Sequence, residues 1–400
     1  MIYKGINRAL ACAWNILAFP VLLRIRSAGR FLPGVQDPLS ESCTVKSLLL
    51  RRLLTIALLL VQGSLLVHAQ IDEAKSPGIT VSNSLFDFFY RHQDTLPVLR
   101  IDTDWGRLIR AKQKEEYQPG VLSYFQGNGQ ATSLNIELRA RGNTRKKVCL
   151  FPPIKAKILK QNSEKPDFNP EFKLKLVLPC QGGKNNEDCL LREALAYKLY
   201  EKVHPIHFRT RLIELQCWQD GREKHTFWAF LVEEEEEMAA RLDGRLLSKG
   251  KIRPDALERS LYVRLCFFQY MIANTDWSVA SRHNLRFLQL PGFQRVVPVP
   301  YDFDYAGLVN TSYAIPGSTI PIENVSERYF MCKDVTEEEA QECTAFFLAQ
   351  KEQILKECSF SGLLKERSAN SIQDFLSDFF DTLENDELMR RMFVKAQNVD

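Results

Sequence analysis

Two short segments carry residue types suited to handling a phosphoryl group. The first reads Asn274-Thr275-Asp276-Trp277 and continues to Arg282-His283-Asn284; the second reads Val299-Pro300-Tyr301-Asp302-Phe303-Asp304-Tyr305. Moving a phosphoryl group requires a carboxylate near the acceptor hydroxyl. It also requires oxygen ligands that hold a divalent cation, magnesium or manganese, on the phosphates. Asp276 fits the first need as a base. Asn284 and Asp302 fit the second as metal ligands, with Asp304 in support. A plainer reading stands beside this one, because Asp and Asn are common turn formers and Asp302 could cap a helix or close a hairpin. The order of the three residues, flanked by apolar strand-like sequence, favours the chemical reading.

The upstream half should then supply cations for the phosphates. Phe172-Lys173-Leu174-Lys175-Leu176-Val177 has the alternation of a strand, which puts Lys173 and Lys175 on one face. Eighteen residues after Lys175, Glu193 lies on a helix-patterned stretch where it can pair with a strand lysine. Lys155 and Lys157, one strand earlier, compete for the phosphate task. The alternative is a solvated basic edge and a surface glutamate. No Gly-x-Gly-x-x-Gly loop occurs; its nearest substitute is Arg141-Gly142-Asn143-Thr144-Arg145, a turn able to bring backbone N–H groups and two arginines to an anion. Phe230-Leu231-Val232-Glu233 ends a strand where the composition changes, so backbone groups around Glu233 can read an adenine. The glutamates that follow suit a solvated helix start, where negative charge favours the helix dipole.

Apolar periodicity and turn residues predict the scaffold for these side chains. A short helix is expected at 84–92, and strands at 96–101, 121–125 and 133–141, with Gly127-Asn128-Gly129 as a hairpin turn. Residues 102–112 read as a turn and short helix. Gly142-Asn143-Thr144 is a tight turn leading to a strand at 153–159. A polar loop at 160–171 precedes a strand at 172–178 and a helix at 188–202. Residues 210–218 and 226–232 form a hairpin around Gln219-Asp220-Gly221. From 233 the pattern is mainly helical: 233–242, a long helix at 255–274, and most of the chain from 336. Two short strands at 285–290 and 296–299 interrupt it. The fold class is α+β.

The composition, 45% hydrophobic and 26% charged over 400 residues, excludes disorder for most of the chain. The 53 basic and 49 acidic residues are interspersed without a concentrated basic face, which argues against a nucleic-acid partner. Residues 46–69 have the layout of a secretory signal peptide: a basic start, an apolar run at 53–60 and Val67-His68-Ala69 as a cleavage-like end. That run is well short of the roughly 20 residues that span a bilayer, so no stable transmembrane segment is expected after cleavage. A retained anchor is the rival reading. No methionine lies between Met1 and Met238, so residues 1–44 are either an over-extended reading frame ahead of a start at Val45 or a genuine leader. The expected divisions are leader and signal peptide at 1–69, a β-rich part at 70–232 and a helical part at 233–400. Export, to the periplasm or beyond, permits disulfides. Cys149 with Cys180 and Cys332 with Cys343 are candidate bridges, with buried free thiols as the alternative. None of the cysteine spacings is that of a zinc site.

Leu138-Arg139-Ala140-Arg141-Gly142-Asn143-Thr144, followed by Phe151-Pro152-Pro153-Ile154-Lys155, resembles the Arg-Gly-Asn-Ser…Pro-Lys signature of CotH-type kinases. The Leu191-Arg192-Glu193 helix, the Asn-Thr-Asp…His-Asn loop and the Tyr-Asp-Phe-Asp turn fall in that family's order, over roughly residues 95–310. HipA-type kinases have a similar Asn-Thr-Asp loop. One departure is the step from Asp276 to Asn284, eight residues where the usual kinase pattern takes about five. The resemblance implies a bilobed protein-kinase-like fold and ATP-dependent phosphorylation of a protein Ser or Thr with magnesium or manganese. A second class is a non-catalytic kinase-fold module that binds a partner or ligand in the cell envelope, where ATP is scarce. A third is a metal-dependent hydrolase or nucleotidyl-transferring enzyme using Asp302 and Asp304. The histidines do not help it: His204 and His207 flank Pro205 in an ordinary loop, His283 stands isolated, and no His-Glu-x-x-His motif occurs. The complete set of base and ligand candidates favours phosphoryl transfer.

Overall fold

The computed structural model describes residues 84–92, 95–125, 131–159, 169 and 172–394, without the side chains of 359–361, all within the unit Ser76–Asp400. The readings for 1–69, for the Gly127-Asn128-Gly129 turn and for most of the loop at 160–171 lie outside the described residues.

After helix α1 (Leu85–Arg91) come β1 (Val98–Asp102), α2 (Trp105–Arg110), β2 (Gln118–Phe125), β3 (Ala131–Ala140), α3 (Thr144–Val148), β4 (Ile154–Ile158) and β5 (Leu174–Val177). They continue as α4 (Lys184–Val203), β6 (Thr210–Gln219) and β7 (Arg222–Val232). These seven strands close into a barrel in the order β1-β2-β3-β4-β5-β7-β6. Closure is by a parallel pairing of β1 with β6, from Val98 opposite Glu214 to Asp102 opposite Trp218; the other neighbours are antiparallel. Alternation explains the barrel's inside. On β3, Leu134, Ile136 and Leu138 point inward between more exposed neighbours, and they share an apolar core with Leu99, Leu176 and Leu215. Strand β5 is buried on both faces: Leu174 and Leu176 join that core, while Lys175 and Val177 are buried on the other side.

Beyond β7 come α5 (Glu235–Arg241), β8 (Arg245–Leu246), α6 (Arg259–Met271), β9 (Leu285–Gln289) and β10 (Val297–Pro300). Helices α7 (Glu337–Lys356), α8 (Glu366–Glu384) and α9 (Asp386–Phe393) follow. Strands β8 to β10 form a separate antiparallel sheet with β9 in the middle. Helix α4 shares its apolar core with Phe230 and Val232 of β7, with Val297 and Val299 of β10, with Phe303, and with α6 to α9. It is therefore the element through which the strands of the barrel and the helices feel one another. The molecule is a mixed α+β fold with a large mixed sheet and helices.

Several local readings differ in extent. The long helix expected at 255–274 is split. Pro254–Ala256 forms a separate 3-10 turn, and α6 stops at Met271 just before Ala273, whose φ is 50°. Helix α3 was expected only as a tight turn, because its five residues are too few to display a helical period. Strand β8 is a two-residue strand with no pattern of its own. The Gln219-Asp220-Gly221 hairpin turn is as read, with φ of 53° at Asp220 and 70° at Gly221, the positive pair that matches strand twist. Cys149 and Cys180 lie at disulfide distance, with a Cα separation of 4.5 Å. Cys332 and Cys343 are unbonded, because Cys343 is buried in the helical core while Cys332 turns to Cys266 and Tyr262.

Candidate functional site

The Asn-Thr-Asp segment is a rigid exit from α6. Asn274 is buried; its Nδ2 donates to Gln269 Oε1 at 2.9 Å, its Oδ1 accepts the Asp276 N–H at 3.0 Å, and its carbonyl accepts Trp277 Nε1 at 3.2 Å. The Asp276 carboxylate is then held on both oxygens. Asn284 Nδ2 donates to Oδ2 at 2.9 Å and to the Asp276 carbonyl at 2.8 Å, while His283 Nε2 donates to Oδ1 at 3.0 Å. The longer step between the two residues is absorbed by a small hairpin. Ser278 and His283 exchange backbone hydrogen bonds, both 3.0 Å, and fold the extra length back so that Asn284 returns to Asp276. Asn284 Oδ1 has no partner among the described residues.

The β9–β10 hairpin brings in Asp302. Leu285 pairs with Pro300, so the residues just outside that rung meet: the Tyr301 N–H donates to the Asn284 carbonyl at 3.1 Å. Asp302 caps no helix. Its N–H donates to the Tyr197 hydroxyl of α4 at 2.8 Å, and Phe303, fully buried, packs against Tyr197 and Phe268 with ring centroids 4.8 and 5.7 Å apart. The Asp302 carboxylate has no partner among the described residues. Asp304 is 4% exposed and accepts from the Tyr313 hydroxyl at 2.9 Å. Asn284 and Asp302 both adopt left-handed backbone, φ 51° and 62°, as do the neighbouring Ala273 and Arg282. Asn and Asp tolerate that region better than most residues, and such conformations gather where side chains must be aimed.

One cavity of about 430 Å³ is lined by Asp276, Asn284, Asp302, Asp304, Arg141, Lys155, Lys175 and Glu233, among others. Its size falls within the range of small-molecule pockets. Lys173 and Glu193 do not line it. Lys173 precedes β5, and its N–H donates to Glu234 Oε2 at 2.8 Å. The pairing expected between a strand lysine and Glu193 is also not formed. Glu193 takes Arg145 Nη1 at 3.0 Å, Lys175 contacts Glu235, and Lys155 meets Glu234 at 2.9 Å. Register gives the reason: Lys175 sits opposite Val232, so its ammonium reaches the acidic run just past the end of β7 rather than α4. Lys157 leaves the site altogether and lies over the Tyr117 ring.

Glu233 is fully buried, gripped by Arg209 Nε and Arg241 Nε, each at 2.8 Å, and its N–H goes to the Arg209 carbonyl. Its side chain is thus structural, and only its carbonyl is left to meet a ligand. Arg141 donates its N–H to the Pro153 carbonyl at 2.8 Å, next to Gly142 at φ 87°, and its guanidinium has no partner among the described residues.

The electrostatics are uneven. Burial raises the Asp276 pKa against the pull of His283. Burial, then Asp302 and Glu193, raise Asp304 well above the usual carboxylate range. Glu193 is pushed up to about 7 by burial, with Arg145 opposing. Lys175, although it contacts Glu235, is pushed down to about 7 by burial and by Arg141. Buried carboxyls crowded together hold their protons because charge is costly there without compensating cations. His283, Tyr197 and Glu235 were not singled out from sequence as site residues, whereas Arg145 was read with Arg141 as one of the two arginines that the turn can bring to an anion. Of the first three, only His283, directly before Asn284, carried a local signal.

Among the described residues, no group of three or more His, Cys, Asp or Glu is arranged to hold a metal, and no helix is long and apolar enough to cross a membrane. The chain matches no protein-family model and no curated protein sequence. Among solved structures it is similar to the Helicobacter pylori proinflammatory kinase CtkA, with 8% identity over 64% of this chain and 95% of that chain and a TM-score of 0.32. So loose a superposition fixes neither fold nor activity, and the functional reading rests on the geometry of the site.

Proposed function

We propose that this chain is an exported, CotH-like kinase that transfers the γ-phosphate of ATP to a protein Ser or Thr. In this reading the fold is bilobed and protein-kinase-like, with residues 70–232 as the β-rich lobe, 233–400 as the helical lobe and the cavity as the nucleotide site. The observation that carries it is the convergence of Asp276, Asn284 and Asp302 on one cavity that also holds Arg141, Lys155 and Lys175. Export through the signal peptide at 46–69, with no transmembrane segment retained, belongs to the same proposal.

The donor set fits magnesium or manganese, which take oxygen ligands. Asn284 Oδ1 and the Asp302 carboxylate lack partners among the described residues, and Asp304 is the supporting ligand, its carboxyl already crowded by Asp302. A bound cation of this kind neutralises charge on phosphate oxygens. The other roles fall to the protein's own groups. Asp276 accepts the proton of the Ser or Thr hydroxyl, and its raised pKa moves it toward the range useful to a base. His283 and Asn284 keep its carboxylate in one orientation, so little reorganisation accompanies the step. Arg141, Lys155 and Lys175 offer positive charge to the phosphates, and the backbone at Glu233 offers a carbonyl to the adenine.

The test is thermal denaturation of the full chain with and without ATP and Mn²⁺ or Mg²⁺, wild type against Asp302→Ala. A ligand that binds only the folded state raises its melting temperature. The expected result is a metal-dependent shift with ATP that disappears in the variant; no shift with any nucleotide or metal overturns the reading. One observation favours a second reading, a non-catalytic module that binds a partner or ligand in the cell envelope: Lys155 and Lys175 are already engaged by Glu234 and Glu235. Nucleotide binding without transfer from labelled ATP to any envelope protein would select it.

A further inference from the structure

An ion pair joins Arg145 of the cavity wall to Glu193, which is not itself part of the wall. Both side chains are almost wholly buried, 7% and 3% exposed. Arg145 lines the cavity and sits on α3, directly after the Arg141–Thr144 turn that lines the same wall. Its Nη1 donates to Glu193 Oε2 at 3.0 Å and its Nη2 to the Leu178 carbonyl at 2.6 Å. Its Nε is buried without a partner among the described residues, as is Glu193 Oε1. A guanidinium has five N–H donors in a fixed plane, so most of this one's capacity is uncommitted. Leaving such a donor buried and unsatisfied is costly, which is the condition expected of a group waiting for a ligand. The remaining neighbours are acidic or phenolic: Asp302, Asp304 and Tyr313 all act on its charge.

The strand lysines are placed less well for an anion. Lys175 is held by Glu235, and Lys155 by Glu234. A guanidinium also stays charged where a buried ammonium does not, and its fork matches two phosphate oxygens at once.

We propose that Arg145 is the main side chain that grips the nucleotide phosphates, ahead of the strand lysines, and that Glu193 is the positioning residue that aims it. This rests on the nucleotide-site reading above. The sequence separates the two partners by 48 residues, and α3 and α4 bring them together only because β4 and β5 lie between.

The test measures dissociation constants for ATP, ADP and adenosine with Mn²⁺ by calorimetry on the full chain. Removing one partner alone would leave a buried charge, so the main variant replaces both, Arg145→Met with Glu193→Leu, checked for folding by its melting curve. ATP and ADP affinity is expected to fall by about tenfold or more, while adenosine affinity stays within about twofold. Lys175→Ala should lower ATP affinity by a smaller factor than the arginine variants do, because its ammonium is shared with Glu235. If the double variant does not fold, Arg145→Lys keeps the charge and loses the fork. A fall of about fivefold for ATP with adenosine unchanged is then expected. Wild-type affinity for ATP with Lys175→Ala losing the phosphate contribution and the arginine variants keeping it overturns this proposal alone. An equal loss of adenosine and ATP affinity in the arginine variants overturns it too, as a structural role only. Failure of the wild type to bind any nucleotide removes the site reading itself, and this proposal with it.

Discussion

Two clusters of buried charge meet the same cavity, and they are balanced differently. Around Glu233 each carboxylate has a guanidinium. Arg209 reaches Asp87 at 3.0 Å and Glu233 at 2.8 Å, Arg241 adds a second grip on Glu233, and Arg91 takes Asp87. Around Asp302 the acids outnumber their cations: Asp276, Asp302, Asp304 and Glu193 face Arg145, the half-exposed His283 and the guanidinium of Arg141. The ingredients are alike, but the first network closes on itself except at Arg209 Nη2, and it ties α1 and α5 to the segments that flank β6 and β7. The second is left short of positive charge, with raised carboxyl pKa values and ligand oxygens unused. A closed network reads as structure, and an open one in a cavity as a place where a cation and a charged substrate complete the set.

The comparison can be broken first at Arg209. Arg209→Ala leaves Asp87 with Arg91 and Glu233 with Arg241 as their remaining partners, so unfolding in denaturant should show a loss of about 3 kcal/mol, the low end for a broken buried pair. A loss below about 1 kcal/mol would mean that the closed network holds nothing together. Asp302→Asn sharpens the contrast from the other side. On the kinase reading proposed above, phosphoryl transfer should fall at least about 100-fold, the size seen when one group stabilising a transition state is removed. The ligand-free protein should be no less stable than wild type, because a like charge has left Asp304 and Glu193. A stability loss as large as that of Arg209→Ala would place Asp302 in the structural class.

The smallest effect is in pH dependence. Glu193 titrates at about 7 in the folded protein against 4.5 when unperturbed, so between those values the folded state binds more protons than the unfolded chain. Stability of the ligand-free protein should therefore fall as pH rises from about 4.5 to 7, by up to about 1.4 kcal/mol per pH unit for one proton. Denaturant titrations across that window check the sign, and a rise in stability instead would show Glu193 to be fully paired by Arg145. Saturating Mn²⁺ should flatten the slope by supplying the missing charge.

Much of this was legible locally. The helix N-capped by Ser84, the β6–β7 hairpin and the β9–β10 pair follow from periods and turn residues within a few positions. So does the approach of Asn284 to Asp302, since a two-stranded hairpin must return its ends to one place. The split before α6 and the extra turn at α3 were harder to see, because three to five residues carry too little pattern. The closed barrel was not legible at all: the parallel contact of β1 with β6 joins segments more than a hundred residues apart.

The sequence by itself determined which chemistry the chain can attempt, because side-chain identity and short-range order place a carboxylate, an amide and a second carboxylate on adjoining turns. Tertiary structure alone decided which charges are free to act. Lys175 points from its strand as a cation should, yet its register with Val232 delivers it to Glu235, while Arg145, legible only as part of a turn, receives Glu193. Alternation along one strand is a local property, but the partner of a buried charge depends on which distant segment packs over it. Inside the protein that partner governs whether the charge is held, suppressed or left waiting.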